Sequence, residues 1–113
     1  MKLYQEKRKW GSFRQLALNK TCTVKILTVL PRRRFSLQYH RKREELWEFL
    51  DNPAKVTIGK RTFRAKKGDH CFVPKGTLHR IEAYGTPVRV LEVSFGKFYE
   101  NDIVRIKDDY GRV

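Results

Sequence analysis

The chain has 113 residues, 40% of them hydrophobic and 12% aromatic, which suits one domain with a single core and excludes a disordered tail. Lys and Arg number 26 against 12 Asp and Glu, a formal net charge of +14, so a negatively charged partner or ligand is expected: a phosphorylated metabolite, a nucleic acid or an anionic surface. The longest mostly apolar stretch, residues 24–30, is far short of a membrane span, and residues 1–7 hold no signal-peptide core; the sequence is read as soluble and cytoplasmic, with no membrane partner.

Taken in chain order, residues 21–30 are β-branched and partly alternating, and Pro31 ends them, which predicts a strand. Residues 35–40 alternate as well, with Phe35, Leu37 and Tyr39 on one face and Ser36, Gln38 and His40 on the other. Residues 45–50 continue the pattern up to a turn at Asp51-Asn52-Pro53. Residues 56–63 read as a hairpin around Gly59. Gly68-Asp69 turns the chain again, and residues 71–73 lead into Pro74-Lys75-Gly76. Residues 88–95 are the last strong strand, and residues 102–106 predict a helical turn with Asp102 as its N-cap. Short, closely spaced strands with turn signals between them predict an all-β sandwich or barrel, one domain across residues 1–113. Cys22 and Cys71 are far apart in strand-like apolar surroundings and read as buried thiols, not a disulfide or a metal pair. Trp10 and Trp47 read as core, and His70 as a surface or satisfied histidine.

The other two histidines sit in patterned surroundings. Gln38-x-His40-x4-Glu45 puts Gln38 and His40 on one strand face and Glu45 on the next strand after a short basic turn, so three donors can converge. In Gly68-x5-Pro74-x-Gly76-x2-His79, Pro and Gly force a tight turn that delivers His79 to the following strand. Imidazole, carboxylate and amide donors together suit a borderline divalent ion. Read singly, each is more simply an ordinary hydrogen-bonded side chain.

Jointly, these segments resemble the paired motifs of the cupin superfamily. The second motif matches from Gly68 to His79, with Ala83 where an Asn is usual. The first matches in spacing from Arg32 to Asn52, with Arg32 and Asn52 in place of glycines and Gln38 in place of the first His. Asn tolerates a left-handed turn, whereas Arg32 needs a different backbone or some strain. Ser36-Leu37-Gln38-x-His40-x2-Arg43-x-Glu45-x-Trp47 resembles the signature of type II mannose-6-phosphate isomerases. So do Arg8-Lys9-Trp10-Gly11-Ser12-Phe13, Val73-Pro74-x-Gly76-x2-His79-Arg80, Leu91-Glu92-Val93, Asp102-Ile103-Val104-Arg105 and the ending Asp108-Asp109-Tyr110-Gly111-Arg112. The similarity covers residues 7–112.

The resemblance implies a jelly-roll cupin (a double-stranded β-helix) and a homodimer. It implies a divalent ion (Zn, Co, Mn or Ni) on Gln38, His40, Glu45 and His79, and isomerisation of mannose 6-phosphate to fructose 6-phosphate. In many relatives such a cupin follows a mannose-1-phosphate guanylyltransferase half whose Gly-rich nucleotide site does not occur in these 113 residues, so that activity is not expected here. For the sugar phosphate, Arg43, Arg80 and Arg105 are the phosphate candidates, since bidentate geometry favours Arg. Glu92 and Asp102 are the candidate bases. Arg41-Lys42 and Leu46 stand where relatives often carry histidines, which makes a non-catalytic metal- or sugar-binding cupin the alternative. A nucleic-acid binder is a weaker one, because the basic clusters are spread along the chain without a recognisable binding pattern. A metal dioxygenase is disfavoured by Gln38 at a position where such cupins use His.

Overall fold

Alternating apolar and polar side chains make strands wherever one face can be buried, and most of this chain follows that pattern. The computed structural model describes residues 2–113. Its strands in chain order are β1 (Tyr4–Arg8), β2 (Gly11–Gln15), β3 (Cys22–Val29), β4 (Leu37–Tyr39), β5 (Glu44–Phe49), β6 (Ala54–Ile58), β7 (Arg61–Ala65), β8 (His70–Val73), β9 (His79–Ala83), β10 (Val88–Phe95) and β11 (Val104–Lys107). Among the described residues no helix forms, hence none long and apolar enough to cross a membrane.

Two antiparallel sheets carry the fold, one ordered β3-β10-β5-β8 and the other β11-β4-β9-β6-β7. β10 is the spine of the first, pairing with β3 over its full length and with β5 from Val90 to Phe95. Val29, Trp47, Phe49, Val73, Val88 and Val90 of that sheet share one core cluster with Ala54, Val56, Ala65, Ile81 and Ala83 of the other. The sheets therefore pack face to face, as the all-β expectation requires. β1 and β2 form a separate hairpin. Leu3, just ahead of it, packs with Leu46 and Val93 on the outer face of the four-stranded sheet, and Arg14 pairs with Glu48 there.

Several sequence expectations are corrected. The tail is strand β11, not a helical turn: Val104 and Arg105 pair with Tyr39 and Gln38 of β4, and the Asp102 carboxylate accepts the backbone N–H groups of Arg41 and Lys42 (2.9 and 3.0 Å) instead of capping its own segment. Trp10 stands at the turn of the N-terminal hairpin, 75% exposed, while Trp47 is fully buried. Cys22 and Cys71 are free and only half-buried. Asn52 takes no left-handed conformation; its amide donates to Pro87 O at 2.8 Å.

Arg32 does adopt the strained backbone, with φ 59°. Arg33 N–H donates to Leu30 O at 3.1 Å, closing a four-residue turn with Pro31 second and a left-handed residue third, the arrangement that favours glycine at the third place. An Arg32→Gly variant is expected to be more stable by about 0.5 kcal/mol, since relief of the left-handed cost exceeds the added chain entropy of glycine. A urea melt checks this; a lower midpoint contradicts it.

Candidate metal centre

The site lies between the two sheets. His79 opens β9 and Gln38 pairs opposite it on β4; Glu45 comes from β5 of the facing sheet, and His40 follows β4 directly. The Pro74-Lys75-Gly76 turn seats this corner: Gly76, at φ 72°, donates its N–H to His40 O at 2.7 Å. Period-two alternation turns Ser36, Gln38 and His40 inward, as their shared face requires. Here the inward face is the polar one, with Ser36 and His40 buried. His40, Glu45 and His79 are all buried, and one ligand atom from each lies within 4.8 Å of the others.

Hydrogen bonds determine what those atoms can do. His40 Nδ1–H donates to Asp102 O at 2.6 Å and His79 Nδ1–H to Thr77 O at 2.9 Å. A carbonyl only accepts, so both rings carry their proton on Nδ1 and present a bare Nε2 toward Glu45, as metal-ligating histidines do. The two Nε2 atoms lie 3.9 and 3.6 Å from the carboxylate oxygens. Burial lowers the pKa of His79 to about 4 and lowers that of His40 as well, so both are neutral near pH 7. Glu45 Oε1 and His79 Nε2 are buried without a hydrogen-bond partner. Two orphaned acceptors facing each other are costly unless a cation joins them.

Arg43 and Glu92 complete the surroundings. Arg43 Nε donates to Glu45 Oε2 at 3.2 Å, and its Nη2 lies 3.3 Å from His40 Nε2. Ser94 Oγ donates to the same Glu45 oxygen at 3.2 Å and lies 3.4 Å from Glu92 Oε1. Burial, together with the charge of Glu45, pushes the Glu92 carboxyl up to about 7. Gln38 accepts from Ser36 Oγ at 2.6 Å and turns its amide nitrogen to His40 Nε2 at 3.4 Å.

The structure thus brings Gln38, His40, Glu45, His79, Arg43 and Glu92 to one place. Arg105 sits opposite Gln38 in the β11–β4 pairing, its Nε buried and unpartnered. Asp102 reaches the site only through its carbonyl on His40. Against the upward push of burial, the N–H groups of Arg41 and Lys42 hold its carboxyl below the usual range. Arg80 does not join the site. As the residue after His79 on β9 it faces the other way, and its guanidinium donates to Phe35 O and Lys107 O (2.9 and 3.3 Å), tying strands together. The sequence reading missed Lys25, which pairs opposite Glu92, and Phe98, whose ring lies 4.0 Å from Lys25 Nζ and 4.3 Å from Arg43 Cζ. Inward parity on β3 was the available signal for Lys25; nothing marked Phe98.

A family model described as mannose-6-phosphate isomerase C-terminal matches residues 2–108. The mannose-1-phosphate guanylyltransferase RfbM of Salmonella typhimurium is 34% identical over 92% of this chain and 22% of its own length. The alginate biosynthesis protein AlgA of Pseudomonas aeruginosa is 36% identical over 93% of this chain and 22% of its own. The chain therefore spans under a quarter of these relatives. Among solved structures, Bacillus subtilis oxalate decarboxylase, described for its Mn(II) centres, superposes with TM-score 0.68 and 27% identity over 77% of this chain and 24% of that one. The capsular polysaccharide assembling protein CapF of Staphylococcus aureus superposes with TM-score 0.70 and 15% identity over 95% and 33%. The fold is the cupin double-stranded β-helix. The expected isomerisation of mannose 6-phosphate is corrected by the curated relatives: they are named for guanylyl transfer to mannose 1-phosphate and for polysaccharide biosynthesis, and what they share with this chain is a cupin portion of their length.

Proposed function

Because the chain belongs to the mannose-6-phosphate isomerase C-terminal family of cupins, we propose that it is a divalent-metal-binding cupin whose basic mouth takes up a mannose phosphate. The observation that carries this reading is the orphaned pair Glu45 Oε1 and His79 Nε2, buried and facing each other at 3.6 Å. Two imidazoles and a carboxylate fit a first-row divalent ion such as Mn, Zn, Co or Ni. Gln38 supplies a fourth donor by exchanging the ends of its amide, since the Ser36 hydroxyl can accept as well as donate. A bound ion supplies positive charge to an oxygen of the ligand. The protein orients the donors through Asp102 O and Thr77 O, and Trp47 and Phe35 pack around His79 to exclude water. A net charge of +14 draws a phosphorylated sugar toward the mouth, and the mannose phosphates are the class that relatives' names support.

Calorimetric titration of mannose 1-phosphate and mannose 6-phosphate into Mn(II)-loaded and EDTA-stripped protein tests this. Uptake of either sugar that weakens severalfold on stripping is expected; no uptake in either state overturns the ligand assignment. The pH dependence of Mn(II) binding gives a separate check. An ordinary histidine competes with metal for protons below about pH 6.5, but His79 does so only near pH 4. With His40 lowered as well, Mn(II) binding is therefore expected to weaken less below pH 6.5 than two ordinary histidines would allow, and to fall away as the pH approaches 4. A steep loss beginning at pH 6.5 contradicts this electrostatic picture.

A further inference from the structure

Arg80 follows His79 on β9 and so turns to the outer face of the five-stranded sheet, away from the metal centre. It is nonetheless buried there, 8% exposed. Its Nε and Nη2 donate to Phe35 O and Lys107 O, which leaves the Nη1 end over. Arg80 lines a cavity of about 150 Å³ on that face, together with Arg34, Lys55, Thr57, Thr62 and Glu82. Strand pairing explains the grouping. Thr57 is the partner of Arg80 on one side and of Thr62 on the other, while Lys55 is the partner of Glu82, which bridges to Arg34. Side chains of residues paired in this way stand next to each other on one face.

Three cations and two hydroxyls thus meet a single carboxylate. Asp109, which does not line the cavity, takes Arg34 through two hydrogen bonds (2.8 and 3.1 Å), and Glu82 lies 3.7 Å from Arg34 Nη1. Among the described residues neither Lys55 nor Arg80 forms an ion pair. Burial first, and then the like charge of Arg34, push the Arg80 guanidinium below its usual pKa, as positive charge short of compensation does.

We propose that this cavity is a phosphate site, separate from the metal centre on the other face of the sheet. Arg80 Nη1 and Lys55 supply its charge, and the Thr57 and Thr62 hydroxyls donate to the phosphate oxygens. Glu82 selects the anion. A carboxylate repels a bare oxyanion but accepts a hydrogen bond from an oxygen that carries a proton. Hydrogen phosphate keeps such a proton near neutral pH and sulfate has none, so the cavity favours phosphate over an anion of the same shape and charge.

Inorganic phosphate and sulfate, titrated separately into EDTA-stripped, isotope-labelled protein and followed by NMR, test this residue by residue. Sodium chloride at about 0.15 M screens diffuse attraction to the basic surface. Phosphate is expected to give saturable shifts at the amides of Lys55, Thr57, Thr62 and Arg80, and sulfate to bind severalfold more weakly. Lys55→Met changes an exposed side chain, so it is expected to fold as the wild type does and to weaken phosphate severalfold. Glu82→Gln is expected to bring the phosphate and sulfate affinities close together. Both variants leave in place the ties that Arg80 makes to Phe35 and Lys107. An absence of saturable shifts at these four amides, or phosphate binding of wild-type strength in a folded Lys55→Met, overturns the site. Equal affinity of the wild type for the two anions overturns the selection by Glu82. Neither result touches the metal reading, because the protein is stripped throughout.

Discussion

Replacing His79 with alanine is expected to weaken Mn(II) or Zn(II) binding by at least about a hundredfold while leaving a folded protein. The ring is buried at the join of the two sheets, 4.9 Å from the His40 ring and 5.4 Å from Trp47, and its Nε2 is one of the two orphaned acceptors. Without it the Glu45 carboxylate shares a cation with only one imidazole, that of His40. The protein loses packing around Trp47, a cost of about 2–3 kcal/mol by analogy with other large-to-small changes, but it also loses a buried polar atom that had no partner. Competition against a chromogenic chelator measures the affinity, and circular dichroism the fold. A folded variant that binds metal as the wild type does shows that His79 is no ligand.

The second large effect is expected at Trp47, and it is structural. Its side chain is fully buried in the cluster joining both sheets, with its ring edge-on to Phe35 at 6.3 Å and to His79 at 5.4 Å. Trp47→Ala removes the largest buried side chain and leaves a cavity between sheets that strand pairing holds apart, so collapse around it is limited. The expected cost is about 3–5 kcal/mol, a large part of the stability of a domain this size, and the melting temperature should fall by more than about 10 °C. The same cavity adjoins His79, so metal affinity should fall with it. A Trp47→Phe variant, which keeps most of the volume, should recover most of both losses. A thermal melt within a few degrees of the wild type would mean that the core can close over the gap.

The strongest strands were legible because their residues can do nothing else. Residues 88–95 are strand β10 as expected, and residues 21–30 and 45–50 become β3 and β5 with each end shifted by one residue. The N-terminal hairpin left little trace: only Phe13 and Gln15 of β2 and Glu6 of β1 are even half-buried, so there is no apolar periodicity to read. In the tail, a plausible N-cap at Asp102 lost to tertiary contacts, because Arg41 and Lys42 offered that carboxylate two backbone donors and β4 offered the tail a partner strand.

The convergence of His40, Glu45 and His79 could be foreseen, since strand parity and two short turns leave these side chains few places to go. Parity also argued against Arg80, which neighbours His79 and for that reason points away from it; the motif placed it beside the ligands in sequence, and the pleat separated them in space. Arg43 was marked by the motif and Lys25 only by inward parity on β3, and neither signal reaches the Phe98 ring that both approach. That ring comes from a loop whose course depends on the finished barrel.

The role of His40, Glu45 and His79 turns on whether this chain holds a metal ion between its sheets. Purified protein stripped with EDTA, reloaded with Mn(II) or Zn(II) and analysed by native mass spectrometry beside Glu45→Gln gives the most direct answer. One ion per wild-type chain and none in the variant is the expected result; a wild-type chain that returns metal-free with either ion contradicts it.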